Sequence, residues 1–450
     1  MQELTRLSFQ ADPCRPAEAW PRRTHGAGRI PADAPDVVLL GRLLQCATGE
    51  GILADETGEI RFRYRSLCGA AAGDVAALTG YARGGQLHVH SIQVLVSGHG
   101  ALKAASDWTR FRRHDGLLRQ RLFVRARIMA AIRDYFRNQG FQEVETPQFV
   151  SGTGNEGHID FFESELRLPA KRLRGVLIAS PEHHMKRLLS AGFERIFQLV
   201  RCFRNGERSP CHLPEFTMLE WYRAYADYHA VMEDVEKLVA YVCHQVSGRN
   251  WLEHGGQRVE LAAPWPRLTV TEAYSRYAGI SLQACPDATS LRHAAAAHGY
   301  RSITEQDSWE DAFHKVLVDR VEPGLKELGA VFLLDYPVAL GALARRKPGC
   351  SGLAERAEAY IAGMELANGY SELNDAAEQE ERFCREAQRR RAFGLPPVNT
   401  DVDFLHMLQC GMPPAGGMAM GVDRLVMLCT GATSIDEVVA FPPDLGGGDP

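Results

Sequence analysis

The first regular pattern begins at Val37. Val37-Val38-Leu39-Leu40 is a short apolar run, and Gly51–Arg65 reads as a hairpin turning at Glu56-Thr57-Gly58. The second arm alternates strictly. Ile60, Phe62 and Tyr64 share one face, and Arg61, Arg63 and Arg65 the other, the period-two signature of a half-buried strand. Gly80–Arg83 and Leu87–Ile92 add further strand runs. Several short strands at close spacing predict a small closed β-barrel of oligonucleotide-binding type over 36–100. A β-sandwich extension used for packing or dimerisation fits the same pattern.

After residue 100 the period changes. Leu122, Ile128, Ile132 and Phe136 recur at helical spacing, predicting a helix that begins around Leu117. From Arg119 to 445 helical patterns alternate with strand runs at Gly175–Ile178, Ile196–Val200, Glu215–Leu219 and Val331–Tyr336, one large domain containing both element types. Within it, 262–330 is rich in helix patterns and poor in obvious chemistry, and reads as an insertion. Residues 1–35 are punctuated by proline and lack periodicity, which predicts a poorly ordered lead-in. Residues 101–118 read as a basic connector.

Composition narrows the class. Of 450 residues, 45% are hydrophobic and 24% charged, values of an ordinary globular chain. The formal net charge of −5 excludes a generally basic nucleic-acid coat but permits local basic patches. Arg110, Arg112, Arg113, Arg119, Arg121, Arg125 and Arg127 form such a cluster, either a solvated face or a docking surface for an acidic partner. The longest apolar stretch, Ala330–Ala344, is broken by Asp335 and Pro337 and is too short to span a bilayer. The opening residues lack the apolar core of a signal peptide, so a cytoplasmic location is expected, with no membrane partner. The 11 cysteines are dispersed without a Cys-x-x-Cys pair and read as free thiols.

Candidate chemistry concentrates in three places. Phe197–Arg208 ends a strand in arginine and runs into a polar loop, and Cys211–Tyr222 supplies a second strand. Near the C-terminus, Gly416-Gly417-Met418-Ala419-Met420-Gly421 leads into Val422-Asp423-Arg424. Arg204 and Arg424, each beside a glycine-bearing turn, suit a triphosphate, because guanidinium forks match phosphate oxygens and glycine permits close approach. No Gly-Lys dipeptide occurs, which excludes a Walker-type phosphate loop.

Together these segments resemble motifs 2 and 3 of the class II aminoacyl-tRNA synthetases. The helix from 119 and Gly140–Pro147 resemble motif 1, the dimer-forming element. The resemblance covers 119–445. It implies an α+β fold, a class II synthetase catalytic domain with an antiparallel sheet flanked by helices, behind the small N-terminal barrel.

Ala179–Leu188, Glu215–Tyr222 and Gly363–Asp375 resemble the lysine-specific branch. That branch holds the tRNA-charging enzymes and a truncated paralogue, the elongation factor P–(R)-β-lysine ligase. Ser180–Leu189, Met218–Arg223, Gly421–Leu428 and Ala419, a position the tRNA enzymes usually give to glycine, resemble the paralogue more closely. The extra N-terminal residues and Ala224–Tyr228 resemble the tRNA enzymes. The expected activity is therefore formation of an aminoacyl-adenylate from lysine or (R)-β-lysine and ATP, with transfer to a lysine of elongation factor P. Charging of tRNA is the alternative, and a catalytically inactive regulatory paralogue is less compatible with retention of Arg204, Glu358, Glu365 and Arg424.

The resemblance also implies roles. Arg204 would hold the α-phosphate and Arg424 the γ-phosphate, Phe216 would stack on adenine, and His212 would approach the outer phosphates. Asn205, Gly206, Glu207, Leu366 and Gly421 complete the ATP set. Glu358 and Glu365, seven apart across a short hairpin, would hold Mg2+. Glu220 and Glu372 would offset a cationic side chain, Tyr222 and Tyr370 would line its stem, and Ser180 and Ala419 would border it. Glu182 would take the amino group and Asn368 the carboxylate. The chain departs from the family at Gly206, where a glutamate is usual and Glu207 follows, and at Leu213, where asparagine is common. His183-His184 invite a metal reading, but beside Lys186 and Arg187 they read as structural. A homodimer through motif 1 and a tRNA contact on the barrel follow from the same resemblance.

Overall fold

The structure is a computed structural model that describes residues 21–65, 69–98, 107–153 and 159–443. It divides into two compact units, 1–116 and 117–450.

In the first unit, β1 (Ala34–Ala47), β2 (Glu50–Ala54), β3 (Glu59–Tyr64), β4 (Val75–Arg83) and β5 (Gln86–Val96) close a barrel in the order β1-β2-β3-β5-β4. The alternation read in β3 has a direct cause: Phe62 and Tyr64 enter a core with Leu39, Leu53, Leu78 and Leu87, while Arg61, Arg63 and Arg65 face solvent. The expected loose lead-in over 1–35 differs from the structure at its C-terminal end. Buried Asp55 accepts from Ala27 N–H at 2.8 Å and pairs with Arg23 at 2.6 Å, and Thr24 N–H reaches Val38 O at 3.0 Å, so residues from 23 onward are tied to the barrel. Residues 1–20 lie outside the described residues.

The helix α1 (Asp107–Asn138) begins ten residues before the expected start. No apolar stripe marks residues 107–116, so periodicity could not reveal them. They also occupy most of the expected connector, whose first residues, 101–106, lie outside those described. Gly116 has φ +75°, a left-handed conformation that glycine adopts without a Cβ penalty.

The second unit continues with β6 (Gln142–Glu143), β7 (Phe149–Val150), β8 (Glu163–Leu168), β9 (Lys171–Leu177), α2 (Glu182–Ser190), β10 (Arg195–Phe203), β11 (Glu215–Ala224) and α3 (Tyr228–Ser247). Then come β12 (Trp251–His254), β13 (Gln257–Glu260), β14 (Arg267–Thr269), α4 (Val270–Ala273), α5 (Ala288–Ala297), α6 (Trp309–Val316), α7 (Glu322–Lys326) and β15 (Ala330–Pro337). The chain closes with β16 (Arg346–Lys347), β17 (Cys350–Ile361), β18 (Met364–Ser371), α8 (Ala376–Ala392), α9 (Val402–Cys410), β19 (Ala415–Gly421) and α10 (Val422–Thr430). Nine strands form one sheet, in the order β14-β15-β17-β18-β19-β11-β10-β6 with β16 on β17, antiparallel except for β14–β15 and β6–β10.

The two faces of this sheet have different tasks. Leu219, Trp221, Ala357, Ala359, Met418 and Met420 face a dry core filled by Val235, Leu238 and Val242 of α3. Asp227 caps α3 by accepting from His229 and Ala230 N–H, and Gly248 ends it at φ +70°. Because side chains alternate along a strand, Glu220, Tyr222, Arg356, Glu358, Asn368, Tyr370, Glu372 and Ala419 are displayed on the opposite face.

The arginine cluster is neither wholly solvated nor free for a partner. Arg125 pairs with Asp423 at 2.6 Å and donates to Thr217 Oγ1 at 2.8 Å, and Arg121 pairs with Glu437. Arg127 donates to Gln245 O at 2.6 Å. These side chains fasten α1 to α3 and the C-terminal segment, because carboxylates remote in sequence converge on them. The side chains of Arg112 and Arg113 lie outside those described. Among the described residues no helix is long and apolar enough to cross a membrane.

Candidate active site

The open face of the large sheet lines a cavity of about 800 Å3. One end is built by β10, β11, the loop between them and the start of α10. Arg204 follows β10, and its guanidinium lies 5.2 Å from the Phe216 ring centre, with Nε buried and unpartnered among the described residues. An orphaned guanidinium donor over an aromatic face is what a phosphate and a flat base would complete. Glu207 Oε1 is 3.8 Å from Arg204 Nη1. Gly206 takes φ +74°, the reason this position tolerates no ordinary side chain comfortably. Asn205 donates to Asp160 Oδ2 at 2.7 Å, which fixes the loop rather than opening that side chain to a ligand.

Arg424 sits at the start of α10. Its Nη2 is 2.6 Å from His212 Nε2, and Nη1 reaches Glu365 O at 2.8 Å and Glu365 Oε2 at 3.3 Å. Burial and then the Arg424 charge lower the His212 pKa, favouring a neutral ring that accepts from Arg424. His212 Nδ1 lies 2.7 Å from Ser209 Oγ.

Glu358 and Glu365 are near enough across the β17–β18 hairpin to repel each other, although Glu358 is paired in register with Asn368 and Glu365 with Tyr360. Glu358 is already occupied: Arg356 donates at 2.6 Å, Tyr336 at 2.5 Å and Tyr360 at 2.8 Å. The segment expected to lack chemistry supplies a third carboxyl here, Glu322 on α7. Burial, then Glu365 and Glu358, push Glu322 up to about 7. Mutual repulsion among carboxylates beside Arg424 fits a divalent cation. Among the described residues no three His, Cys, Asp or Glu groups converge closely enough to ligate one alone. That suits Mg2+, which takes one or two carboxylates and completes its shell with phosphates and water.

At the other end, three carboxylates meet. Ser180 Oγ donates to Glu220 Oε2 at 3.0 Å, and the Tyr222 hydroxyl donates to Glu220 Oε1. Tyr370 donates to Glu182 Oε1 at 3.0 Å. Glu372 is 1% exposed, and its Oε1 has no partner among the described residues. A Cβ at Gly417 would lie 2.1 Å from that oxygen, so glycine is required to leave it room. Asn368 Oδ1 accepts from Arg356 Nε at 3.2 Å. Ala419 lies between Glu220 and Asn368 in register, its methyl on the cavity face. Leu366 and Gly421 also border the cavity.

Burial pushes Glu372 and Glu220 each up to about 8, with Lys186 opposing the rise at both and Glu182 adding to it. Accepting an ammonium requires the ionised forms, so affinity for an ammonium ligand here is expected to strengthen between pH 6.5 and 8, at most about tenfold per pH unit for each proton released. Stability of the empty protein runs the other way. Carboxyls raised on folding favour the native state below their ordinary value of 4.5, and that contribution is lost as pH rises through about 8. Calorimetric titration in buffers of different ionisation heat measures both the affinity and the proton count.

Three participants are not evident from the sequence. Lys186 lies four residues after Glu182 on the helix entering the site, Arg356 precedes Glu358 on the same strand face, and Glu322 is brought in by the insertion. Period-two and period-four spacing could have flagged the first two, whereas nothing local flags the third. His183 stacks on Phe404 at 4.2 Å and faces Asp401 at 3.2 Å, a packing role as expected.

An antiparallel sheet with a core on one face, opposed arginines at one end of the other and a glycine-rich strand leading into a helix defines the class II synthetase architecture. The sequence profile of the tRNA synthetases class II (D, K and N) matches residues 102–445, and the chain belongs to that family. It is 41% identical over 325 residues to a lysine–tRNA ligase of Moorella thermoacetica, covering 72% of this chain and 65% of that protein. Against the lysine–tRNA ligases of Magnetococcus marinus and Chloroflexus aurantiacus the identity is 38%, over 71% of this chain and 63% and 64% of theirs. The matches thus span just under two thirds of these relatives' length.

Proposed function

We propose that the protein adenylates lysine with ATP and transfers the lysyl group to tRNA. The observation that carries the activation step is the cavity itself, with three buried carboxylates at one end and two arginines at the other. Lysine's two ammonium groups find carboxylate partners at the acidic end, and its carboxylate is directed toward the phosphate end. Glu182 receives the amino group, Asn368 holds the carboxylate, and Glu220 and Glu372 receive the terminal ammonium between Tyr222 and Tyr370. The lysine carboxylate attacks the α-phosphorus of ATP, the bond to the β-phosphate oxygen breaks, and pyrophosphate leaves. No general base is needed, because the nucleophile is already ionised. The chain contributes positioning and charge stabilisation through Arg204 and Arg424. Glu365 and Glu358, with Glu322 nearby, would hold Mg2+, which neutralises phosphate charge when bound.

The acceptor is the second half of the proposal. The expected transfer to elongation factor P gives way to tRNA because the curated relatives named above are lysine–tRNA ligases. The barrel, with Arg61, Arg63 and Arg65 exposed on β3, supports a nucleic-acid contact. A dimer through α1, whose Phe123 is 57% exposed, belongs to the same reading. Ala419 favours the second reading, in which (R)-β-lysine is attached to elongation factor P.

Lysine-dependent exchange of labelled pyrophosphate into ATP tests the activation step. Offering tRNA and elongation factor P separately then tests the acceptor, and transfer to the protein alone would reverse the choice. Replacing Ala419 by Gly is expected to shift the α-lysine to (R)-β-lysine ratio of kcat/KM about tenfold toward α-lysine, the scale of one methyl in a pocket.

A further inference from the structure

Lys186 is the largest unexplained feature of the cavity. It is 0% exposed, and its Nζ lies 2.5 Å from Glu182 Oε1 and 2.5 Å from Glu372 Oε2. The Tyr370 ring centre is 5.5 Å away. An ammonium already occupies the space between two carboxylates that the proposed reaction assigns to the substrate's cations. The contact with Glu372 uses Oε2 only, and Oε1 has no partner among the described residues.

We infer that Lys186 is a positioning residue that sets the selectivity for a cationic side chain: it pins Glu372 by Oε2 so that Oε1 faces the substrate, and supplies the third cation for three carboxylates. Lysine brings two ammonium groups, one short of matching Glu182, Glu220 and Glu372. The resident ammonium closes that gap, so the loaded pocket is balanced and the empty one is not. A buried carboxylate without a cation takes up a proton rather than stay charged. Without Lys186, Glu372 would hold its proton more tightly and remain a neutral acid even when an ammonium is offered, and the pocket would lose its preference for lysine over an uncharged side chain. Burial presses the Lys186 ammonium toward deprotonation, but Glu182 and Glu372 more than offset this and hold it charged. The charged and titratable groups facing Glu372 are Glu182 and Lys186 from α2, Glu220 and Tyr222 from β11, and Tyr370 from β18.

The inference rests on lysine being the substrate, and the test separates the two. Pyrophosphate exchange is measured with lysine and with norleucine, which is lysine without its terminal ammonium, for the wild type, K186M, E372Q and the double variant. K186M is expected to lower the lysine to norleucine ratio at least 100-fold while the KM for ATP moves less than threefold. In the E372Q background, adding K186M is expected to change kcat/KM for lysine less than threefold, because the effect passes through Glu372. A ratio in K186M within threefold of wild type overturns the inference, and so does a further tenfold loss in the double variant. Should K186M fail to fold, the double variant, which removes both members of the Lys186–Glu372 pair and leaves Glu182 its bond from Tyr370, still decides through that comparison. Should the wild type show no exchange with lysine, the substrate assignment falls. Carbon NMR titration of labelled glutamate carboxyls then reads Glu372 directly. An upward move of its titration in K186M supports the positioning role, and an unmoved titration overturns it.

Discussion

Replacing Glu372 by Gln is expected to lower kcat/KM for lysine-dependent pyrophosphate exchange by about 10^3-fold or more, with the KM for ATP little changed. The size follows from the site. Glu372 is buried, its Oε1 has no partner among the described residues, and Gly417 leaves that oxygen room at the wall of the cavity. An ammonium brought there gives up its hydration and needs a full negative charge in return. Truncating one member of a buried charge pair costs about 2–5 kcal/mol, and each tenfold in rate corresponds to about 1.4 kcal/mol. The amide keeps the shape but offers the ammonium only a dipole, and its NH2 group could face it as a second donor. Lys186 retains Glu182, so the fold is expected to survive. Circular dichroism and the melting temperature check this beside the exchange assay. Exchange within tenfold of wild type would show that Glu372 does not receive the substrate cation.

Much of this arrangement is legible in the amino-acid sequence. Period-two alternation marks β3 of the barrel, and the order of the Arg204, Glu358–Glu365 and Arg424 segments marks the face that lines the cavity. The reason is physical: a sheet with a core on one side and a ligand on the other writes both demands into alternate residues of one strand. Trp221 and Leu219 answer to the core, Glu220 and Tyr222 to the cavity. The illegible parts depend on the chain returning from far away. Arg125 looks like one charge of a solvated run until Asp423 arrives 298 residues later. Asp55 is only the residue before the Glu56-Thr57-Gly58 turn until Arg23 and Ala27 fold onto it. Glu322 reads as one of several acidic positions on the helices of 262–330, and only the packing of that segment against β15 and β17 brings it beside Glu358 and Glu365.

The second large effect is expected at the opposite end of the cavity. Arg204→Ala should reduce the maximal rate of exchange by about 10^2–10^3-fold while leaving the affinity for lysine nearly unchanged, because the two ends bind different groups. Removing one preorganised donor aimed at developing charge costs a rate factor of that order in acyl-transfer sites. The preorganisation here is visible. Arg204 is held over Phe216 at 5.2 Å, its backbone N–H bonds Pro214 O at 2.9 Å, and its Nε is buried without a partner among the described residues. A guanidinium held in this way, with Nε already buried, has given up part of its solvation and of its freedom to reorient, so less must be lost when a phosphate oxygen gains charge. Arg204→Lys separates charge from geometry, since an ammonium restores the charge without the fork or the flat stacking surface. The lysine variant is expected to recover no more than about tenfold of the loss. Full recovery would mean that charge alone matters at this position. An unchanged rate in Arg204→Ala would remove Arg204 from the reaction and leave the phosphate end to Arg424 and His212.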